Sequence, residues 1–316
     1  MLPRLRPRTV VWTLAVVALV VAAAAAATPR GTNGRIVYAL ETGQEHFQLF
    51  TVQRDGSKRV ALPIALSATH PDWAPDGKRI VFGLEGPTAA SIATISADGT
   101  DLRNLTPTGF QGQPSFSPDG KWIVYERDRG PTDNGVWIMR ADGSDARRLT
   151  RNPFMKQGEC GCDTDPNFSP DGERITFVRI KQDENQQALF TMNRDGSGLR
   201  RLTPYSWDVA IKHDWAPDGK RIVLTTNADF IDPDEPANLV LIRPDGTGKK
   251  VLTHFTSRSA GAFAGSFSPD GKQIVFRLET GGRPSLAFIS RNGGKIQTAQ
   301  ISKAGDPRFI DWGPQP

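Results

Sequence analysis

Five stretches of this chain are variants of one sentence: THPDWAPDGKRIVF (69–82), GQPSFSPDGKWIVY (112–125), TDPNFSPDGERITF (164–177), IKHDWAPDGKRIVL (211–224) and FAGSFSPDGKQIVF (263–276). Their aspartates, Asp76, Asp119, Asp171, Asp218 and Asp270, stand 43, 52, 47 and 52 residues apart. A period of roughly 40–50 residues is that of a four-stranded propeller blade. A second turn follows each copy, at Asp98-Gly99, Asp142-Gly143, Asp195-Gly196, Asp245-Gly246 and Asn292-Gly293, with Asp55-Gly56 ahead of the first. The 31 glycines and 24 prolines fit so many turns and argue against a long-helix protein.

The turn chemistry gives the repeat its physical content. In Ala74-Pro75-Asp76-Gly77, proline presets φ, aspartate suits the next corner and glycine takes the left-handed position. That combination predicts a tight hairpin, a type I turn with a bulge. Four positions after each aspartate stands Ile80, Ile123, Ile175, Ile222 or Ile274, and six positions after it Phe82, Tyr125, Phe177, Leu224 or Phe276. The residues between are mostly apolar too, so this strand is expected to be buried on both faces. Just before the turn, Trp73, Phe116, Phe168, Trp215 and Phe267 occupy equivalent places and should pack between neighbouring sheets.

The two ends complete a sixth unit. Gly34-Arg35-Ile36-Val37-Tyr38 reads as the second strand of a blade, and 47–62 supplies its third and fourth. The missing first strand is at the far end, where Phe309-Ile310-Asp311-Trp312-Gly313-Pro314 echoes His213-Asp214-Trp215-Ala216-Pro217. The expected fold is therefore all-β: a six-bladed β-propeller of four-stranded antiparallel blades over residues 31–316. Pairing of the terminal strands closes it and removes exposed edges.

Residues 1–30 are a different kind of sequence. Arg4, Arg6 and Arg8 precede an uncharged, mostly apolar run from Val10 to Ala27, which ends in small residues. This is the layout of a signal peptide, or of a membrane anchor helix retained through residues 10–27. Either places the remainder outside the cytoplasm: periplasmic, secreted, or anchored and facing outward. The formal charge is +5, three of which come from those leader arginines, too little to imply nucleic-acid binding.

The repeated W/F-[SA]-P-D-G-[KE]-x-I-x-F sentence, with Arg147-Arg148-Leu149-Thr150 and Arg200-Arg201-Leu202-Thr203 following later in their repeats, resembles the TolB-type propeller repeat. The resemblance covers essentially the whole chain after the leader. The N-terminal α/β domain of full TolB proteins is not expected here. The resemblance implies an extracytoplasmic, mostly non-catalytic binding propeller. Related repeats also serve as substrate-gating domains in peptidases and as carbohydrate-active lyases.

Antiparallel connectivity sorts the loops by face. The Pro-Asp-Gly and Asp-Gly turns fall on one side, and the longer, more diverse connections (126–135, 151–164, 179–188, 225–238, 254–263) on the other. Variable loops on a rigid frame are where binding residues concentrate. Three residues before each strand aromatic stand His70, Gln113, Asp165, Lys212, Ala264 and Phe309; one before it stand Asp72, Ser115, Asn167, Asp214, Ser266 and Asp311. His70, Asp72, Gln113, Asp165, Asn167, Lys212, His213 and Asp214 are thus the candidate ligand-binding residues of a channel mouth. The alternative role for this polar row is to cap backbone groups and hydrate the channel.

His46 and His254 lie in loops of the same side. A metal held between His70 and His213 would need a sharply narrowed channel. The acidic stretch 229–235 lacks a calcium-loop register. Cys160 and Cys162, one residue apart, are a candidate disulfide that staples their loop, with a redox pair or half a metal site as alternatives. No G-x-S-x-G elbow, phosphate loop or dinucleotide fingerprint is present, and no motif calls for a cofactor or marks a catalytic residue. The function expected is a monomeric binding or scaffold module for an envelope or secreted protein, peptide or glycan. The alternative is a metal-assisted hydrolase or lyase at the channel mouth. The basic pairs Lys78-Arg79, Arg147-Arg148, Arg200-Arg201, Lys220-Arg221 and Lys249-Lys250 read as a solvated rim that blunts outer edges. Attraction to an anionic envelope surface or polymer is the other reading of them.

Overall fold

A computed structural model of the protein describes residues 31–43, 46–128, 133–153, 162–181, 186–227, 236–257, 259–299 and 305–316. They form six four-stranded antiparallel sheets. Blade 1 takes its innermost strand, Pro307–Pro314, from the C-terminus and continues through Asn33–Glu41, Phe47–Val52 and Val60–Ala61. The innermost strands of blades 2 to 6 are Ser67–Trp73, Gln111–Phe116, Asp163–Phe168, His213–Trp215 and Ala260–Phe267. Closure occurs as the sequence predicts, with Ile36 opposite Trp312 and Val37 opposite Asp311. Residues 1–30, and with them the expected signal or anchor helix, lie outside the described residues. No helix among the described residues is long and apolar enough to cross a membrane.

The tight turns behave as their residues require. Gly77, Gly120, Gly172, Gly219 and Gly271 have φ between +67° and +72°. In the first of them Gly77 N–H donates to Ala74 O at 2.9 Å and Ala74 N–H to Arg79 O at 2.8 Å. In the strand that follows, Ile80, Val81 and Phe82 are all fully buried.

There is no single core; the apolar packing is divided among the six blade junctions. Each innermost-strand aromatic packs back onto the preceding blade. Trp73 lies with Val37, Ala39 and Leu49 of blade 1, and Phe116 with Val81 and Ile92 of blade 2. Phe168 lies with Val124 and Ile138 of blade 3, and Trp215 with Val178 and Leu189 of blade 4. Phe267 lies with Val223 and Leu241 of blade 5. Trp312 closes the circle against Val275 and Phe288 of blade 6, and its indole N–H donates to Gly34 O at 3.2 Å. Burying one aromatic side chain per junction contributes roughly 2–3 kcal/mol each from area alone, so the ring is held by six comparable seams.

Candidate binding site at the channel mouth

The channel wall is made by a bulge repeated around the ring. In blade 2 the register runs Thr69 opposite Gly83, then Asp72 opposite Val81, leaving His70 and Pro71 against Phe82 alone. The same shift occurs at Gln113-Pro114 and Asp165-Pro166, and at Phe309-Ile310. Backbone φ at His70, Gln113, Asp165 and Phe309 is 48°, 51°, 46° and 52°. Left-handed backbone at a non-glycine costs on the order of 1–3 kcal/mol, and a bulge of this kind re-aims a side chain. Proline follows three of these residues, where the bulge leaves no ladder donor to lose.

The polar row one residue before the aromatic sews neighbouring blades together. Asp311 Oδ2 accepts the backbone N–H of Trp73 at 2.8 Å, and Asp72 Oδ2 that of Phe116 at 2.8 Å. Asp214 accepts the N–H of its own neighbour Trp215 at 2.8 Å, the N–H of Phe267 at 2.7 Å and the Ser266 hydroxyl at 3.1 Å. At the junction of blades 3 and 4, where the row carries Ser115, Gln113 takes this part. Gln113 Oε1 accepts the Asp165 N–H at 2.8 Å and the Thr164 hydroxyl at 2.6 Å. Thr225 Oγ1 accepts the Ala264 N–H at 2.8 Å, reinforcing the junction of blades 5 and 6.

The blade 4–5 junction carries an Asp–His–Thr chain. Asp165 Oδ2 accepts the His213 backbone N–H at 3.0 Å and lies 2.9 Å from ring Nδ1, out of line for a good hydrogen bond. His213 Nε2 is 2.8 Å from Thr176 Oγ1, which also accepts the Trp215 indole N–H at 2.8 Å. Both Thr176 and His213 are fully buried. A hydroxyl enclosed this way has no approach path for a substrate carbonyl, so the chain fixes a seam and offers no nucleophile. Asn167 stays within the same seam, donating to Asp165 O at 3.2 Å.

Lys212 stands among the channel carboxylates. Burial would lower the Lys212 amine, but Asp165, Asp311, Asp72 and Asp214 together hold its pKa above the ordinary value. Burial, then the Asp311 charge, pushes Asp214 up to about 7. The same two causes raise Asp72. Burial also acts to raise Asp165, yet Lys212 and His213 outweigh it and leave Asp165 below its usual range. His70 is driven down to about 3 by burial, and its ring lies against Phe309, tilted by 32° with centroids 3.6 Å apart.

A cavity opens between blades 2 and 3 on the loop face. Its volume is about 180 Å³, and it is lined by His70, Gln113, Glu85, Gln111, Glu126 and Asp128, with Phe110 at its rim, 54% exposed. Glu126 Oε2 lies 2.7 Å from Thr164 Oγ1, and burial raises its carboxyl to about 7. Gln111 is 5% exposed and its Oε1 has no partner among the described residues. Sequence reasoning named His70 and Gln113 but missed Gln111, Glu126 and Phe110. A signal existed: the position seven after the turn aspartate is Gly83, Glu126, Val178, Thr225 and Arg277, directly after a uniformly apolar position and different in every repeat.

Among the described residues, no three His, Cys, Asp or Glu side chains converge closely enough to hold a metal ion. Cys160 and the acidic stretch 229–235 lie outside the described residues. Cys162 is buried, its Sγ 3.8 Å from Asn134 Nδ2.

Closed seams and a polar inner wall define a six-bladed ring of the TolB type. The chain belongs to the TolB beta propeller domain family, whose model matches residues 33–316. It is 26% identical to an uncharacterized protein of Agrobacterium fabrum over 247 residues, 75% of this chain and 73% of that one. It is 30% identical to an uncharacterized peptidase of Bacillus subtilis over 142 residues, 36% of this chain; the match spans only 21% of the peptidase. Among solved structures, TolB from Acinetobacter baumannii superimposes with a TM-score of 0.72 at 22% identity, over 89% of this chain and 67% of that one.

Proposed function

We propose that this ring is an extracytoplasmic, non-catalytic binding module that holds a protein or peptide segment at the loop-face opening between blades 2 and 3. The observation that supports it is the cavity of Glu85, Glu126, Asp128 and the unpartnered Gln111 Oε1 beside the exposed Phe110. Its volume suits the end of one side chain, well below the roughly 300 Å³ of a small-molecule pocket. Three carboxyls and a free amide oxygen suit an ammonium or guanidinium, with Phe110 covering the aliphatic stem. The leader and the family support a place outside the cytoplasm.

The test is an array of lysine- and arginine-bearing peptides probed with the full chain. Phe110→Ser combined with Glu126→Gln should weaken capture at least about tenfold, the scale of losing one buried charged contact, without lowering Tm appreciably. Because Glu126 gains its charge only above about 7, capture should tighten from about pH 6 to about pH 8 and flatten in Glu126→Gln. Binding that ignores both substitutions, or no binding to any basic peptide, would rule the site out.

The second reading, a metal-assisted hydrolase or lyase at the channel histidines, fits less well. His213 is fully buried against Thr176, and the His70 ring packs against Phe309.

A further inference from the structure

The face opposite the proposed binding site carries a basic cleft of about 620 Å³ where the tight turns of blades 4, 5 and 6 meet. Arg174, Arg200, Lys220, Arg221, Arg243 and Arg291 line it. These cations come from three blades, and neutral acceptors position several of them. Arg200 donates to Asp245 O at 3.1 Å, Arg221 to Gly248 O at 3.2 Å and Arg243 to the Thr247 hydroxyl at 3.5 Å. Gly248 has φ +66°, and a Cβ there would meet the Arg243 guanidinium at 3.2 Å and Arg221 Nη1 at 3.3 Å. Glycine thus lets two guanidinium groups converge on one spot. Only Arg291 is neutralised, by Asp218 at 3.0 Å; among the described residues the other five have no carboxylate at ion-pair distance. The one carboxylate lining the cleft, Asp245, is spent on Thr247 of its own turn.

The chain enters the ring on this same face. Gly31 N–H donates to Pro269 O at 3.3 Å, and Asn33 Oδ1 accepts the Asp270 N–H at 3.0 Å, both in the blade 6 turn. Arg291 of the cleft donates to Gly271 O of that turn at 3.2 Å. The apolar run ending at Ala27 is four residues from Gly31, a span of at most about 14 Å. An anchor so short would hold the cleft near the bilayer, where the Debye length is about 8–10 Å and anionic headgroups attract basic side chains.

We propose that the tight-turn face of blades 4–6 seats the phosphate headgroups of an anionic membrane surface to which residues 10–27 tether the ring. The proposal is independent of the loop-face site and rests on the anchor expected from the sequence. The full chain, carrying Trp12→Phe so that the tether holds no donor, is reconstituted in nanodiscs of phosphatidylcholine, with or without phosphatidylglycerol, carrying a dansyl-headgroup lipid. Energy transfer from the ring tryptophans, of which Trp73 and Trp312 line a cavity on this face, reports the distance.

Phosphatidylglycerol should raise transfer by about twofold, and ~1 M salt, with a Debye length of about 3 Å, should remove the gain. Lys220→Gln with Arg243→Gln, both exposed positions, should lose more than half of it. Lys78→Gln with Lys121→Gln, the same loss of charge elsewhere on the face, should keep it. No gain from phosphatidylglycerol overturns the proposal, as does an equal loss in the two double variants, which would leave only net charge. Binding of inorganic tripolyphosphate that depends on Lys220 and Arg243, without any lipid effect, would assign the cleft to free phosphate chains instead.

Discussion

Aspartate does two opposite jobs in this ring. On the tight-turn face, Asp98, Asp142, Asp195 and Asp245 each accept the N–H two residues on, all at 2.9 Å. The hydroxyls of Thr100, Ser144, Ser197 and Thr247, then those backbone bonds, hold their carboxyls below the ordinary range. In the channel, burial lifts Asp72 and Asp214 above it. Their key partners are N–H groups 44 and 53 residues away in the next blade. The first kind completes a loop that would form in isolation; the second exists only once the circle is shut. Local turns therefore define each sheet, while the channel aspartates join sheet to sheet.

The largest effect should come from breaking a channel bridge. Asp214→Ala leaves the N–H groups of Trp215 and Phe267 buried without their acceptor. Each such group costs about 1–3 kcal/mol, so denaturant unfolding should show a loss of about 2–5 kcal/mol. Asp72→Ala, which orphans only the Phe116 N–H, should cost about half as much. Equal losses at the two positions would refute the bridging role.

The pH dependence separates the same groups by sign. Asp214 at about 7 lies above its unfolded 3.8, so its contribution is complete below pH 3.8 and is lost as pH rises through about 7. Glu126, at about 7 against 4.5, behaves likewise. His70, at about 3 against 6.5, runs the other way: its contribution is complete above 6.5 and lost as pH falls toward 3. The raised carboxyls outnumber the one depressed histidine, so Tm should decline between about pH 4.5 and pH 7. Asp214→Asn should make that decline shallower and His70→Gln steeper. Parallel profiles for all three proteins would contradict the assignment.

The same contrast explains what could be read from the chain. Pro-Asp-Gly and Asp-Gly are self-contained, so turns, strands, blade number and closure at Trp312 followed from spacing. The polar row Asp72, Ser115, Asn167, Asp214, Ser266 and Asp311 was legible as a row, since side chains alternate along a strand. Its partners were not, because Asp311 answers Trp73 from 238 positions away. His213 reads like a mouth residue, yet it occupies the place filled by Pro71, Pro114 and Pro166 in other blades and turns into the seam toward Thr176. The loop-face cavity needed Gly83, Gln111 and Glu126 from two blades, and the basic cleft needed arginines from three. Neither convergence has a signature in a single repeat.

The smallest effect is expected at the turns, and it tests the comparison from its other end. Asp195 is exposed, and its partners, the N–H and hydroxyl of Ser197, lie in the same solvated corner. In Asp195→Ala water replaces the carboxylate at both, and Gly196, with φ +94°, still supplies the left-handed backbone the turn needs. Tm should fall by no more than about 3 °C, and the decline in Tm between about pH 4.5 and pH 7 should match the parent, because the missing group titrates below that window. A loss as large as that of Asp214→Ala would mean that the turns, too, are held from a distance, and the division of labour between the two kinds of aspartate would collapse.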